Sequence, residues 1–139
     1  MTPAYHTKHF SDTAKLNKLC KILTPAGSRF YDPATIGIHN DFYMYASVLE
    51  PGKTVSHRIN LNLKAEDGSL PRSLYVHVAN KGGEVIVRTV GGAQKEQKTT
   101  LQPGDGAFVK DVRSGEEIVM ESTGKKNVEF VVFDLANTN

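Results

Sequence analysis

No window of eleven or more residues in this chain repeats its apolar side chains with the 3.6-residue period of an amphipathic helix. What recurs instead is a short apolar run closed by turn residues: Pro51-Gly52, Asp67-Gly68, Gly82-Gly83, Gly91-Gly92, Pro103-Gly104, Ser114-Gly115 and Gly124. Such pairs end a strand, because proline presets its own φ and glycine reaches the positive φ that tight turns need. Strands are predicted at 19–23, 42–49, 55–63, 74–79, 84–90, 98–101, 106–109, 117–122 and 128–135. Short strands with turns between them at a spacing of roughly 8–12 residues describe an all-β sandwich or barrel. Residues 1–17 are polar, and Ser11-Asp12 caps at most one turn there. They read as an N-terminal arm ahead of a single barrel domain over 18–139.

Composition narrows the function classes. An apolar fraction of 39% over 139 residues suits one folded domain and excludes a disordered chain. A formal net charge of +2 lacks the concentrated basic stripe that phosphate backbones attract, so no nucleic-acid partner is expected. The one cysteine, Cys20, forms no internal disulfide and makes no zinc site. No apolar run approaches the ~18 residues of a membrane span. Met1 to His6 has no apolar signal stretch, and the expectation is a soluble, intracellular, cytoplasmic protein.

The strand faces say more than the strand limits. In 55–63, Val55, His57, Ile59, Leu61 and Leu63 share one face, while Ser56, Arg58, Asn60 and Asn62 share the other. In 128–135 both faces are apolar, with Val128, Phe130 and Val132 opposed by Val131, Phe133 and Leu135. The 42–49 strand is similar, with Phe42, Met44, Ala46 and Val48 opposed by Tyr43, Tyr45 and Leu49. Strands apolar on both faces call for cover on both, from the arm or from another chain.

Four patches carry a family resemblance: Thr24-Pro25-Ala26-Gly27, Ile38-His39-Asn40-Asp41, Leu101-Gln102-Pro103-Gly104-Asp105-Gly106-Ala107, and Phe133-Asp134-Leu135. In this order and spacing the chain resembles the C-terminal half of the pirin-like proteins, two-domain cupins that include enzymes with quercetin 2,3-dioxygenase activity. Tyr5 to Phe10 is similar to the segment joining the family's two halves. The resemblance implies a cupin-type jelly-roll β-barrel, or double-stranded β-helix, with a short N-terminal arm.

A metal-binding cupin brings three imidazoles and usually a carboxylate together inside the barrel, leaving an open position on a divalent ion. Counted from Gly52, its first motif puts Arg58 and Asn60 where two histidines belong; shifted by one residue it finds His57 and then Ile59. Its carboxylate falls on Tyr75 or Val76, and the second motif meets Lys110, Val112 and Gly115 in place of Pro, Gly and His. One imidazole does not hold a catalytic metal, so no cofactor is expected for this chain. This agrees with the family, in which the metal belongs to the N-terminal half.

Other polar residues read blandly. His57 on an apolar face reads first as a core histidine bonded to backbone or water. His77, between Val76 and Val78, faces away from them at the surface or an interface, and His39 with Asp41 reads as a turn-edge hydrogen bond. His6 and His9 make at best a weak metal-scavenging pair, Cys20 is an inert buried thiol, and Lys8, Lys15, Lys18 and Lys21 are a solvated face. The expected function is a cupin module without its own metal, structural or interacting, that associates with itself or with a metal-bearing cupin partner. The alternatives are a quercetin 2,3-dioxygenase-like oxidoreductase around His57, which would need a divalent Fe, Ni, Cu or Mn, and a barrel that binds a small aromatic ligand among His57, Tyr43, Tyr45, Tyr75 and His77.

Overall fold

In a computed structural model that describes residues 11–61, 63, 70–90 and 97–136, the described residues form ten strands and one helical turn. The turn, α1 (Asp12–Lys15), starts where Ser11 accepts the Ala14 N–H. The strands are β1 (Cys20–Pro25), β2 (Ile36–Ile38), β3 (Phe42–Leu49), β4 (Thr54–Arg58), β5 (Arg72–Val78), β6 (Val85–Val90), β7 (Lys98–Leu101), β8 (Gly106–Val112), β9 (Glu117–Ser122) and β10 (Val128–Ala136). They form a six-stranded sheet, β2-β1-β3-β10-β5-β8, and a four-stranded sheet, β4-β9-β6-β7. Among the described residues the paired strands run antiparallel except β1 with β2. Among the described residues no helix is long and apolar enough to cross a membrane.

The core lies between the sheets because the strands alternate as the sequence does. β3 buries Tyr43, Tyr45, Ser47 and Leu49, and β10 buries Val128, Phe130, Val132 and Asp134. β5 buries Arg72, Leu74, Val76 and Val78, facing Val85 and Val87 of β6 and Ile118 and Met120 of β9. Gly83 shows how tightly the turns close: a Cβ there would run into the Lys126 carbonyl oxygen. Gly52, with φ of 82°, takes the left-handed turn into β4.

Most strand limits fall within two residues of the sequence reading, and three differences are larger. β2 was not predicted, because Ile-Gly-Ile is too short to show a period; it is held parallel to β1, beside a hydrogen bond between the buried Thr24 and Thr35 hydroxyls. β4 stops at Arg58 instead of reaching 63, since the Asn60 N–H leaves the ladder and turns onto the Asp134 carboxylate. β8 runs on to Val112 across a bulge in which Asp111 takes a φ of 59°. His6, His9 and Lys8 lie outside the described residues.

Candidate functional site

At one end of the barrel the apolar inner face gives way to charge. Arg72 and Asp134, both 0% exposed, sit on adjacent strands of the six-stranded sheet as diagonal inner-face neighbours: Asp134 lies opposite Leu74, and Arg72 opposite Ala136. Arg72 Nε donates to Asp134 Oδ1 at 2.7 Å, and the same guanidinium donates to Asp41 Oδ1 at 2.8 Å. The second oxygen of Asp134 reaches across to the other sheet. It accepts from His57 Nε2 at 2.8 Å, from the Asn60 backbone N–H at 2.9 Å and from Asn60 Nδ2 at 2.8 Å. Asn60 Nδ2 also donates to the Tyr45 hydroxyl at 3.0 Å, and Asp41 Oδ2 takes the Leu63 N–H at 2.8 Å. One carboxylate thus ties β10 to β5, to β4 and to the chain that follows β4.

The electrostatics follow from burial set against pairing. Burial by itself would raise the Asp134 carboxyl; the hydrogen bond from His57 and the Arg72 charge outweigh it and hold the group below the usual carboxylate range. Burial likewise works against the Arg72 charge, and Asp134 with Asp41 overcomes it, leaving the guanidinium above its ordinary value. Asp134 is therefore an anion at neutral pH and acts only as an acceptor, which places a proton on His57 Nε2. The Tyr43 phenol is pushed up to about 12, first by burial and then by Asp41, and burial also raises Tyr45. Arg72 lies 5.6 Å from the Tyr43 ring centre, and the Tyr45 and His57 rings are 4.7 Å apart.

The residues singled out from sequence divide between two surfaces. Tyr43, Tyr45 and His57 share the interior. Tyr75 and His77 do not line it: inner positions of β5 belong to Arg72, Leu74, Val76 and Val78, and the intervening residues face outward, with His77 exposed. His57 Nε2 is bonded to the Asp134 carboxylate, where backbone or water was expected. Asp41 accepts from Arg72 and from the Leu63 N–H. Cys20 is half-buried, with its thiol 3.8 Å from the Lys21 carbonyl oxygen. Arg72, Asn60 and Asp134 were missed as site residues, although a period of two was available: Asp134 falls in register with Val128, Phe130 and Val132, and Arg72 with Leu74, Val76 and Val78.

As a metal site this constellation fits poorly. Its lone imidazole turns Nε2 to Asp134, the carboxylate is already filled by four donors, and a guanidinium lies beside it. Among the described residues no three His, Cys, Asp or Glu side chains gather where they could hold a metal ion.

Known structures share this architecture. Bacterial pirin YhhW from Escherichia coli superposes with a TM-score of 0.67 at 17% identity over 100% of this chain and 46% of that one. The fold is a pirin-like cupin barrel. The same pirin in complex with nickel(II) gives a TM-score of 0.65 at 18% identity over 99% of this chain. The chain thus spans a little under half the length of that protein. No protein-family model and no curated protein matches the sequence.

Proposed function

We propose that this chain is a pirin-like cupin barrel without a metal centre of its own, acting as a structural and interaction module that pairs with itself or with a metal-bearing cupin. The observation that carries the reading is the fully buried Arg72–Asp134 pair. A divalent ion beside it would face a guanidinium in a poorly screened interior, and would have to take the Asp134 oxygens from four donors. The network serves instead as a polar clasp between the sheets at the barrel end.

Elemental analysis of natively purified protein, followed by dialysis against Fe(II), Ni(II), Mn(II) and Cu(II), tests the reading. Metal well below one equivalent in each case is expected. One equivalent of any of them, retained after desalting and lost in His57→Ala, overturns it in favour of a quercetin 2,3-dioxygenase-like enzyme.

A second reading, a small aromatic ligand inside the barrel, is favoured by the Tyr45 and His57 rings lying together within the interior. A thermal shift with flavonols that disappears in Tyr45→Ala would support it, and no shift at saturating ligand would remove it.

A further inference from the structure

Two hydroxyls inside the barrel are unpaired. Ser47 on β3 and Ser122 on β9 are 0% and 1% exposed, and among the described residues neither side-chain oxygen has a hydrogen-bond partner. A serine hydroxyl carries one donor and two acceptor lone pairs, and burying it with all of them empty forfeits the hydration it had in the unfolded chain. Other buried polar side chains of this protein avoid that cost: Thr24 bonds to Thr35, and His57 and Arg72 both bond to Asp134.

Both serines take inner positions. Ser47 continues the row of Tyr43, Tyr45 and Leu49 on β3, and Ser122 follows Ile118 and Met120 on β9. Their cross-strand neighbours have nothing to offer them, since Ser47 lies opposite Phe130 and Ser122 opposite Val85. The Ser122 main chain is already used, its N–H donated to the Lys53 carbonyl and its own carbonyl taken by the Gly52 N–H. The two positions also share an end of the barrel. Phe42 opposite Leu135 marks the end that holds the clasp, and Leu49 opposite Val128 marks the other. Ser47 is one inner position short of Leu49, and Ser122 lies one step beyond the Glu121–Thr54 pair that opens β4. The turn at 50–53 leaves β3 after Leu49 and bonds Ser122 through Gly52 and Lys53.

We infer that Ser47 and Ser122 hold internal water at this end of the barrel. Water both donates and accepts, so it satisfies a hydroxyl in any rotor state. Strand carbonyls keep a second lone pair after the ladder is formed, which helps to supply the roughly two to four polar partners that a buried water takes. The inner neighbours, Leu49 and Phe130 for Ser47, Met120 and Val85 for Ser122, are apolar, so a larger polar solute would find little beyond these hydroxyls to repay its own desolvation. Globular chains hold about one buried water per ~27 residues, on the order of five for 139, so such a site is within the ordinary complement of a chain this long. The inference is independent of the metal-free reading, because the clasp lies at the opposite end.

Magnetic relaxation dispersion of water oxygen counts waters held inside a protein while it tumbles, and reading oxygen keeps exchanging serine protons out of the count. The samples are the wild type, Ser47→Ala, Ser122→Ala and the double variant, with thermal unfolding by circular dichroism on each. Expected are long-lived water in the wild type, an amplitude lower by at least one water in the double variant, and a Tm that neither single variant raises. A dry hydroxyl behaves in the opposite way, because replacing it with hydrogen removes an unpaired polar group and puts nothing in its place. A wild type without long-lived water overturns the inference. So does a folded double variant that keeps the wild-type amplitude, or a Tm raised in both single variants. Should the double variant not fold, the single variants decide: at least one must lose a water, and unchanged amplitude in both overturns the inference.

Discussion

Replacing Asp134 by Asn keeps the shape of the side chain and removes its charge, so the loss measures the clasp and not packing. In the wild type the carboxylate accepts from Arg72 Nε, His57 Nε2, the Asn60 N–H and Asn60 Nδ2, all between 2.7 and 2.9 Å. An amide offers one acceptor oxygen and adds two donors among groups that are themselves donors. Arg72 then loses Asp134 as a charged partner while keeping Asp41, with both its own burial and that of position 134 complete. Removing one member of a buried ion pair costs about 3–5 kcal/mol, because the remaining charge stays buried and uncompensated. For a chain of 139 residues at ~2.1 cal/mol/K per residue, the unfolding entropy at the midpoint is ~0.29 kcal/mol/K, so the loss corresponds to roughly 10–17 °C in Tm. Thermal and urea unfolding followed by far-ultraviolet circular dichroism reads it directly. A loss below about 1 kcal/mol in a folded Asp134→Asn variant would refute the argument that this carboxylate holds the barrel end together. Should that variant not fold, Asp41→Asn is the milder probe, since Asp41 is 14% exposed and the Arg72–Asp134 bond survives; about 1–2 kcal/mol is expected.

Other consequences follow from the same geometry. The Asp134 carboxyl is held below its ordinary range, so its contribution is fully present above the unfolded value of about 3.9 and is lost as pH falls through the folded value. The urea midpoint should therefore drop below about pH 4, and drop less steeply in Asp134→Asn. His57→Ala removes a charge-assisted hydrogen bond and a buried ring, for an expected loss of about 2–4 kcal/mol by urea titration; a loss under 0.5 kcal/mol would contradict the bridging role given to His57. Gly83→Ala sets a methyl against the Lys126 carbonyl, a backbone atom of the turn that leads into β10, and about 1–3 kcal/mol of stability should go with it.

The β architecture was legible in the sequence because alternation is local: β3, β5 and β10 bury the residues that their period of two sets on one face. The sequence also marked β3 and β10 as apolar on both sides, and their apolar outward residues are half-buried in the structure. The clasp was not legible as a unit. Asp41, His57, Asn60, Arg72 and Asp134 come from separate segments, and only the stacking of two sheets joins them. Alone, Asn60 read as a residue on the wet face of a longer β4, Asp134 as part of the Phe133-Asp134-Leu135 patch, and Arg72 carried no signal of its own. The shortening of β4 has the same cause, since the force that ends it is a hydrogen bond to a residue 74 positions away. His57 was found because an inward imidazole on an apolar face is visible without knowing its partner.

The most direct test of the central claim, that the buried network at this barrel end is an ionic clasp and not a metal site, is the long-range 1H–15N spectrum of the His57 imidazole at neutral pH, with and without one equivalent of Ni(II). The account expects Nε2 to carry a proton that stays bonded to Asp134, with chemical shifts unchanged by the metal. Loss of the Nε2 proton with broadening or shift at His57 on adding Ni(II) would contradict it.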